Sequence, residues 1–133
     1  MKDKIEKTKE EWRQILSKEQ FDILRKGKTE KAFSGPYWEL KEEGVYLCAG
    51  CKQELFSSKN KFDSGTGWPS FDDPISPGAI SLAPDDSFFM KRTEVKCAVC
   101  DGHLGHVFDD GPKDTTGKRY CLNSHALEFK AKN

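Results

Sequence analysis

The order of apolar and polar positions changes character once along the chain. Over residues 1–30 it follows a helical period. Thr8 and Glu11 have capping-box spacing, and Trp12, Ile15 and Leu16 follow on one face. Ser17 and Gln20 repeat the signal ahead of Phe21, Ile23 and Leu24, and Gly27 supplies a stop. Two short amphipathic helices are predicted, packed as a cap. From residue 31, Gly, Pro, Asp and Asn punctuate short β-type runs at 44–48, 79–82, 88–97, 104–108, 118–122 and 127–129. No internal repeat or linker interrupts them. The pattern predicts a mainly β body, residues 31–133, with the helical cap 1–30 part of the same single domain.

Composition narrows the function. A chain of 133 residues, 35% hydrophobic and 33% charged, builds one modest core that gains from a staple. Twenty-two basic residues balance 22 acidic ones, so the basic excess of a nucleic-acid or anionic-membrane binder is missing. The longest apolar stretches are pieces such as Phe88-Phe89-Met90, far below the roughly 20 residues that span a bilayer. The N-terminus carries Lys2, Asp3, Lys4, Glu6 and Lys7 and no apolar signal region. A cytoplasmic monomer is the expectation, in a compartment where thiols stay reduced and paired cysteines favour metal over disulfide.

Four of the five cysteines form two C-x-x-C pairs, Cys48/Cys51 and Cys97/Cys100, separated by 45 residues. Each pair can place two thiolates on one turn, and two turns make a tetrahedral site suited to one structural zinc ion. Gly50 and Gly102 keep those turns small. Two rivals remain. In the first, one pair acts as a redox dithiol, which wants a βαβ setting that this pattern lacks. Alternatively Cys97, Cys100, His103 and His106 form a Cys₂His₂ site, which leaves Cys48 and Cys51 without a purpose.

Cys121 is then left over. A buried inert thiol is the plain reading of a free cysteine. On a strand, however, Arg119, Cys121 and Asn123 share one face and Tyr120 and Leu122 the other. The thiol lies on the polar face beside a cation that favours thiolate, as a nucleophile requires. His103 and His106 would face opposite ways on a regular strand, but Gly105 permits a bulge that turns both to one site. His125 reads as a surface residue. In Ser64-Gly65-Thr66-Gly67-Trp68-Pro69, the tight glycine loop presents Trp68 either as core or as an aromatic wall for a small apolar group.

Taken in order, these segments resemble the B-type methionine sulfoxide reductases. The resemblance rests on Phe33-Ser34-Gly35, Gly44-Val45-Tyr46, Cys48-x-x-Cys51, Ser64-Gly65-x-Gly67-Trp68-Pro69-Ser70-Phe71, Cys97-x-x-Cys100, His103-Leu104-Gly105-His106-Val107-Phe108 and Arg119-Tyr120-Cys121-x-Asn123-Ser124. It implies two antiparallel sheets with short peripheral helices, stapled by a Cys₄ zinc site. It implies reduction of the R epimer of methionine sulfoxide, mainly in oxidised proteins. Cys121 matches the family's nucleophile. His106 and Asn123 match its polar substrate residues, with His103 close by. Asp110 and Arg119 match a supporting charged pair, and Trp68 the wall for the substrate methyl group.

The implied chemistry is attack by the Cys121 thiolate on sulfur, with His106, alone or together with His103, as the acid, leaving methionine and a sulfenic acid. Many members carry a resolving cysteine where this chain has Thr66. With the other thiols assigned to zinc, an external thiol is expected to restore Cys121: thioredoxin, glutathione with glutaredoxin, or another. Two other readings compete. A zinc-stapled β binding module needs no thiol on its polar face, and a thiol peroxidase or redox sensor does not need Trp68.

Overall fold

The computed structural model describes residues 4–86 and 91–132. Positions 88–90 of the predicted strand 88–97, with the apolar triplet there, lie outside the described residues. Helices α1 (Lys9–Ile15) and α2 (Lys18–Lys26) begin as the sequence implies. The Thr8 hydroxyl accepts from the Glu11 amide and the Glu11 carboxylate accepts from the Thr8 amide; Ser17 and Gln20 repeat the arrangement. Both caps satisfy donors a helix start leaves open. Gly27 ends α2 at φ 71°, a left-handed conformation. Trp12, Leu16, Phe21, Ile23 and Leu24 are buried, but Ile15 is 55% exposed, against the expectation of a shared face. The reason is local. Leu16 leaves the helix in an extended conformation (φ −108°, ψ 147°) and is buried, while Ile15, the last helical residue, stays on the outer side.

The body is two antiparallel sheets. Strands β1 (Gly44–Cys48), β2 (Glu54–Ser57) and β9 (Leu127–Ala131) form one, ordered β2-β1-β9. The other contains β3 (Lys61–Phe62), β4 (Ser70–Phe71), β5 (Ile80–Asp85), β6 (Arg92–Cys97), β7 (His103–Phe108) and β8 (Arg119–Leu122), ordered β3-β4-β8-β7-β6-β5. The predicted runs recover β1 and β5 to β9. They miss β2, β3 and β4, which have four, two and two residues, too short to show a period.

Rings from both sheets meet in the core. Phe71 of β4 stacks on Phe56 of β2 at 4.6 Å and meets Tyr46 of β1 edge-on at 5.1 Å. Such pairs contribute about 0.5–1.5 kcal/mol beyond area burial. The continuous apolar cluster takes in both helices and both sheets, with Tyr46, Leu55, Phe56, Phe71, Val95 and Leu104 fully buried.

Candidate active site and cysteine cluster

The four paired cysteines converge. Cys48 ends β1 and Cys97 ends β6, and Cys51 and Cys100 lie on the turns that follow. The turns are alike: the amide four residues on donates to the cysteine carbonyl (Lys52 to Cys48, 2.9 Å; Asp101 to Cys97, 2.8 Å). That fourth residue is left-handed in each, Lys52 at φ 68° and Asp101 at φ 61°. All four sulfurs lie within 4.8 Å of one another, with Cys48 3.7 Å from Cys100 and Cys51 3.5 Å from Cys97. A tetrahedron with metal–sulfur bonds of about 2.3 Å has sulfur–sulfur edges of about 3.8 Å. The cluster therefore fits a zinc ion. The short contacts run between pairs, so neither pair stands alone as a dithiol.

The histidine rival is overturned. Among the described residues the ligand atoms that gather around Cys97 and Cys100 are the sulfurs of Cys48 and Cys51, with neither histidine in the group; the His103 Nδ1 lies 2.6 Å from Glu94 and the His106 Nε2 2.7 Å from Asp85. The helical cap covers the turns instead. A Cβ on Gly50 would lie 3.2 Å from the Trp12 ring, and one on Gly102 2.9 Å from the Leu24 side chain. The small residues thus admit the cap helices. Arg25 adds a hydrogen bond to the Cys100 carbonyl at 2.9 Å.

Across the larger sheet, Cys121 on β8 opens into a cleft of about 260 Å³. That is below the roughly 300 Å³ at which drug-sized pockets begin, so it suits a single side chain. Trp68, His106, Arg119 and Asn123 line it with Cys121, joined by Thr29, Thr66, Arg92 and Phe108. The strand ladder places these groups: Cys121 pairs with His106 on one side and with Ser70 on the other. The bulge suggested by Gly105 is present, since Val95 opposes Gly105 while Lys96 opposes His103, leaving Leu104 as the extra residue. The imidazoles consequently sit 5.3 Å apart, edge to face. His106 lines the cleft. His103 is buried behind it, its pKa held below the ordinary value chiefly by burial, with Glu94 opposing that shift.

Distant contacts fix the remaining groups. Trp68 donates from its indole to the Glu30 carbonyl at 3.0 Å. The Asn123 side chain accepts from the Glu30 amide at 3.0 Å and donates to the Leu104 carbonyl at 3.1 Å. This leaves one amide proton of Asn123 for a guest. Glu30 itself is buried, and its carboxylate takes both the backbone amide and ring nitrogen of His125, at 2.9 and 3.0 Å. His125 is therefore partly enclosed and paired, not the surface residue the sequence suggests. Nothing in a chain with 22 acidic residues marks Glu30 beforehand. Asp110 grips Arg119 through two bonds, at 2.9 and 3.2 Å, and Arg119 lies over the Phe108 ring at 4.4 Å.

The Cys121 thiol departs from expectation. Burial raises its pKa above the ordinary value, and this outweighs Arg119 and the Thr66 hydroxyl, which act the other way. Reading the arginine alone from sequence neglects desolvation by the cleft walls.

These features define a two-sheet β body with a four-cysteine cluster fit to hold one ion and, apart from it, a fifth thiol in a side-chain-sized cleft; four cysteines around one ion would leave no coordination position for substrate. The SelR domain model matches residues 16–131, and the chain belongs to the SelR-domain family. It is 57% identical over 126 residues to "Peptide methionine sulfoxide reductase MsrB" of Methanosarcina barkeri, covering 95% of this chain and 88% of that one. The protein of that name from Pseudomonas fluorescens is 57% identical over 127 residues, covering 96% of each. The rice "Peptide methionine sulfoxide reductase B1, chloroplastic" is 55% identical over 123 residues, covering 92% of this chain and 57% of that one. Among solved structures, the Mis18 "Yippee-like" domain superposes with a TM-score of 0.55 at 16% identity, covering 69% of this chain and 99% of that one; the likeness is one of fold alone.

Proposed function

We propose that Cys121 is the nucleophile of a peptide methionine sulfoxide reductase acting on the R epimer in oxidised proteins. The activity follows from the family: the chain is an oxidoreductase that reduces methionine sulfoxide. The assignment to Cys121 is carried by one observation, the sharing of a side-chain-sized cleft by its sulfur, the Trp68 indole, the His106 imidazole and Asn123. Trp68 receives the substrate methyl group. Asn123 offers its remaining amide proton to the sulfoxide oxygen, and His106 protonates that oxygen, with His103 packed behind it. Oxygen passes to the Cys121 sulfur, which gives up two electrons and becomes a sulfenic acid, and methionine leaves. The Asp110–Arg119 pair holds positive charge beside the attacking thiolate.

Thr66 stands where a resolving cysteine would, and the other four thiols belong to the metal cluster. An external thiol therefore displaces water from the sulfenic acid, and a second releases the mixed disulfide; thioredoxin and glutathione with glutaredoxin have this chemistry. One structural zinc ion held by Cys48, Cys51, Cys97 and Cys100 ties β1 of the small sheet to β6 and β7 of the large one. We further infer a monomer of one domain, capped by residues 1–30, in the reducing cytoplasm. No helix among the described residues is long and apolar enough to cross a membrane. The test is Cys121→Ser: turnover of a sulfoxide peptide should vanish while metal content and thermal unfolding stay as in the parent. Surviving turnover would place the nucleophile elsewhere.

A further inference from the structure

A row of three hydroxyls runs away from the Cys121 sulfur. Thr66, on the glycine loop, lines the same cleft as Cys121, and its hydroxyl is one of the groups that favour the Cys121 thiolate. Its Oγ1 lies 2.8 Å from the Ser64 hydroxyl, which lies 2.8 Å from the Ser70 hydroxyl. Ser70 is fully buried, pairs across the ladder with Cys121, and donates to the Trp68 carbonyl at 3.2 Å.

Each hydroxyl has one proton, so the direction of the row can be counted. The Ser70 proton is spent on the Trp68 carbonyl. Ser64 must then donate to Ser70, and Thr66 to Ser64. Thr66 consequently meets Cys121 as an acceptor, a match for S–H and not for S⁻. A thiolate demands the reverse, in which Ser70 donates to Ser64, Ser64 to Thr66 and Thr66 to sulfur, with the Trp68 carbonyl released. Both arrangements use the same atoms at the same distances.

We propose that Thr66, Ser64 and Ser70 form a reversible hydroxyl row that turns its protons as Cys121 ionises, accepting from the thiol and donating to the thiolate. Ser64 and Ser70 are thereby positioning residues that act on the sulfur through Thr66. The thiol proton leaves to water in the cleft, and the three hydroxyl protons rotate without being lost. The row supplies what the half-buried site lacks, since burial is the dominant influence against the charged form of Cys121. Charged groups reach the sulfur from the other elements: Arg119 on β8, His106 on β7, Arg92 on β6, and Glu30 from the segment before β1. The loop 64–70 contributes only hydroxyls, an indole and backbone.

The inference rests on Cys121 as the attacking sulfur, but its test reads ionisation instead of turnover. Metal-loaded protein is alkylated with iodoacetamide from neutral to alkaline pH, and the peptide carrying residue 121 is followed by mass spectrometry. A hydrogen bond to a charged group is strong enough that Thr66→Val should slow alkylation at neutral pH about tenfold, with the alkaline plateau unchanged. Ser64→Ala, which does not touch the sulfur, should slow it about threefold in the same sense through loss of polarisation along the row. Thr66→Ser should restore the parent profile. Superimposed profiles for Thr66→Val, Ser64→Ala and the parent would overturn the row, as would a lowered plateau with an unmoved midpoint, which signals access and not ionisation. Turnover surviving in Cys121→Ser would instead sink the nucleophile assignment, so the two failures are distinguishable.

Discussion

Replacing Gly105 by alanine tests how closely the site depends on the packing of β7 against β8. A Cβ at this position would lie 2.1 Å from the Cys121 carbonyl oxygen and 2.9 Å from the Leu122 Cα. Both obstacles are backbone, so no side chain can rotate away. Reaching the 3.0 Å that real Cβ contacts respect requires the strands to part by about 1 Å. That stretch breaks ladder bonds around the pairs Gly105–Leu122 and His106–Cys121. Two lost bonds at about 1 kcal/mol each and overpacking strain of about 1–3 kcal/mol give a destabilisation of about 3–5 kcal/mol. For a chain of this size the melting temperature should fall by about 10–20 °C. The catalytic effect should be larger, because displacing a reacting sulfur by about 1 Å costs about 100-fold in rate. Differential scanning calorimetry and single-turnover reduction of a sulfoxide peptide measure the two effects. Gly78→Ala is the control, since a Cβ there meets nothing within 4 Å and its φ is not left-handed. If Gly105→Ala melted with Gly78→Ala and kept its rate within a factor of about three, the argument from close approach would be wrong.

Two further predictions concern charge and metal. Arg119→Met keeps much of the stem but removes the cation that opposes the burial effect on Cys121. The thiolate fraction falls, so the activity–pH profile should move to higher pH and alkylation at neutral pH should slow several-fold; an unmoved profile would show that Arg119 does not stabilise the thiolate. Chelation, or Cys48→Ser, should unfold the protein, as read by circular dichroism and metal content. Structural zinc sites contribute apparent binding energies of about 10–16 kcal/mol, comparable with the whole stability of a domain. Metal-free protein that melted with the holoprotein would exclude the stapling role.

Much of this was legible before any coordinates, and the reason is range. Thr8 with Glu11 and Ser17 with Gln20 bond within one turn, so their spacing alone places both helix starts. Two C-x-x-C pairs announce a four-sulfur cluster because thiolates two residues apart reach one ion. Six strands were visible as runs bounded by turn residues, and the ordered motifs from Phe33 to Ser124 carried the family. Only tertiary structure decided the rest. The two-residue strands β3 and β4 exist because β8 offers β4 a partner and β4 offers one to β3, a fact with no periodic trace. Glu30 became a support of the site because Asn123, Trp68 and His125 approach it from 38 to 95 residues away. His106 met Asp85 and His103 met Glu94 through the β5-β6-β7 ladder and its bulge. The ionisation of Cys121 followed from how much water the assembled walls exclude, which a neighbouring arginine in sequence does not reveal. Local hydrogen bonds and ligand spacing are properties of the chain; burial and distant partners arise only when its segments are packed together.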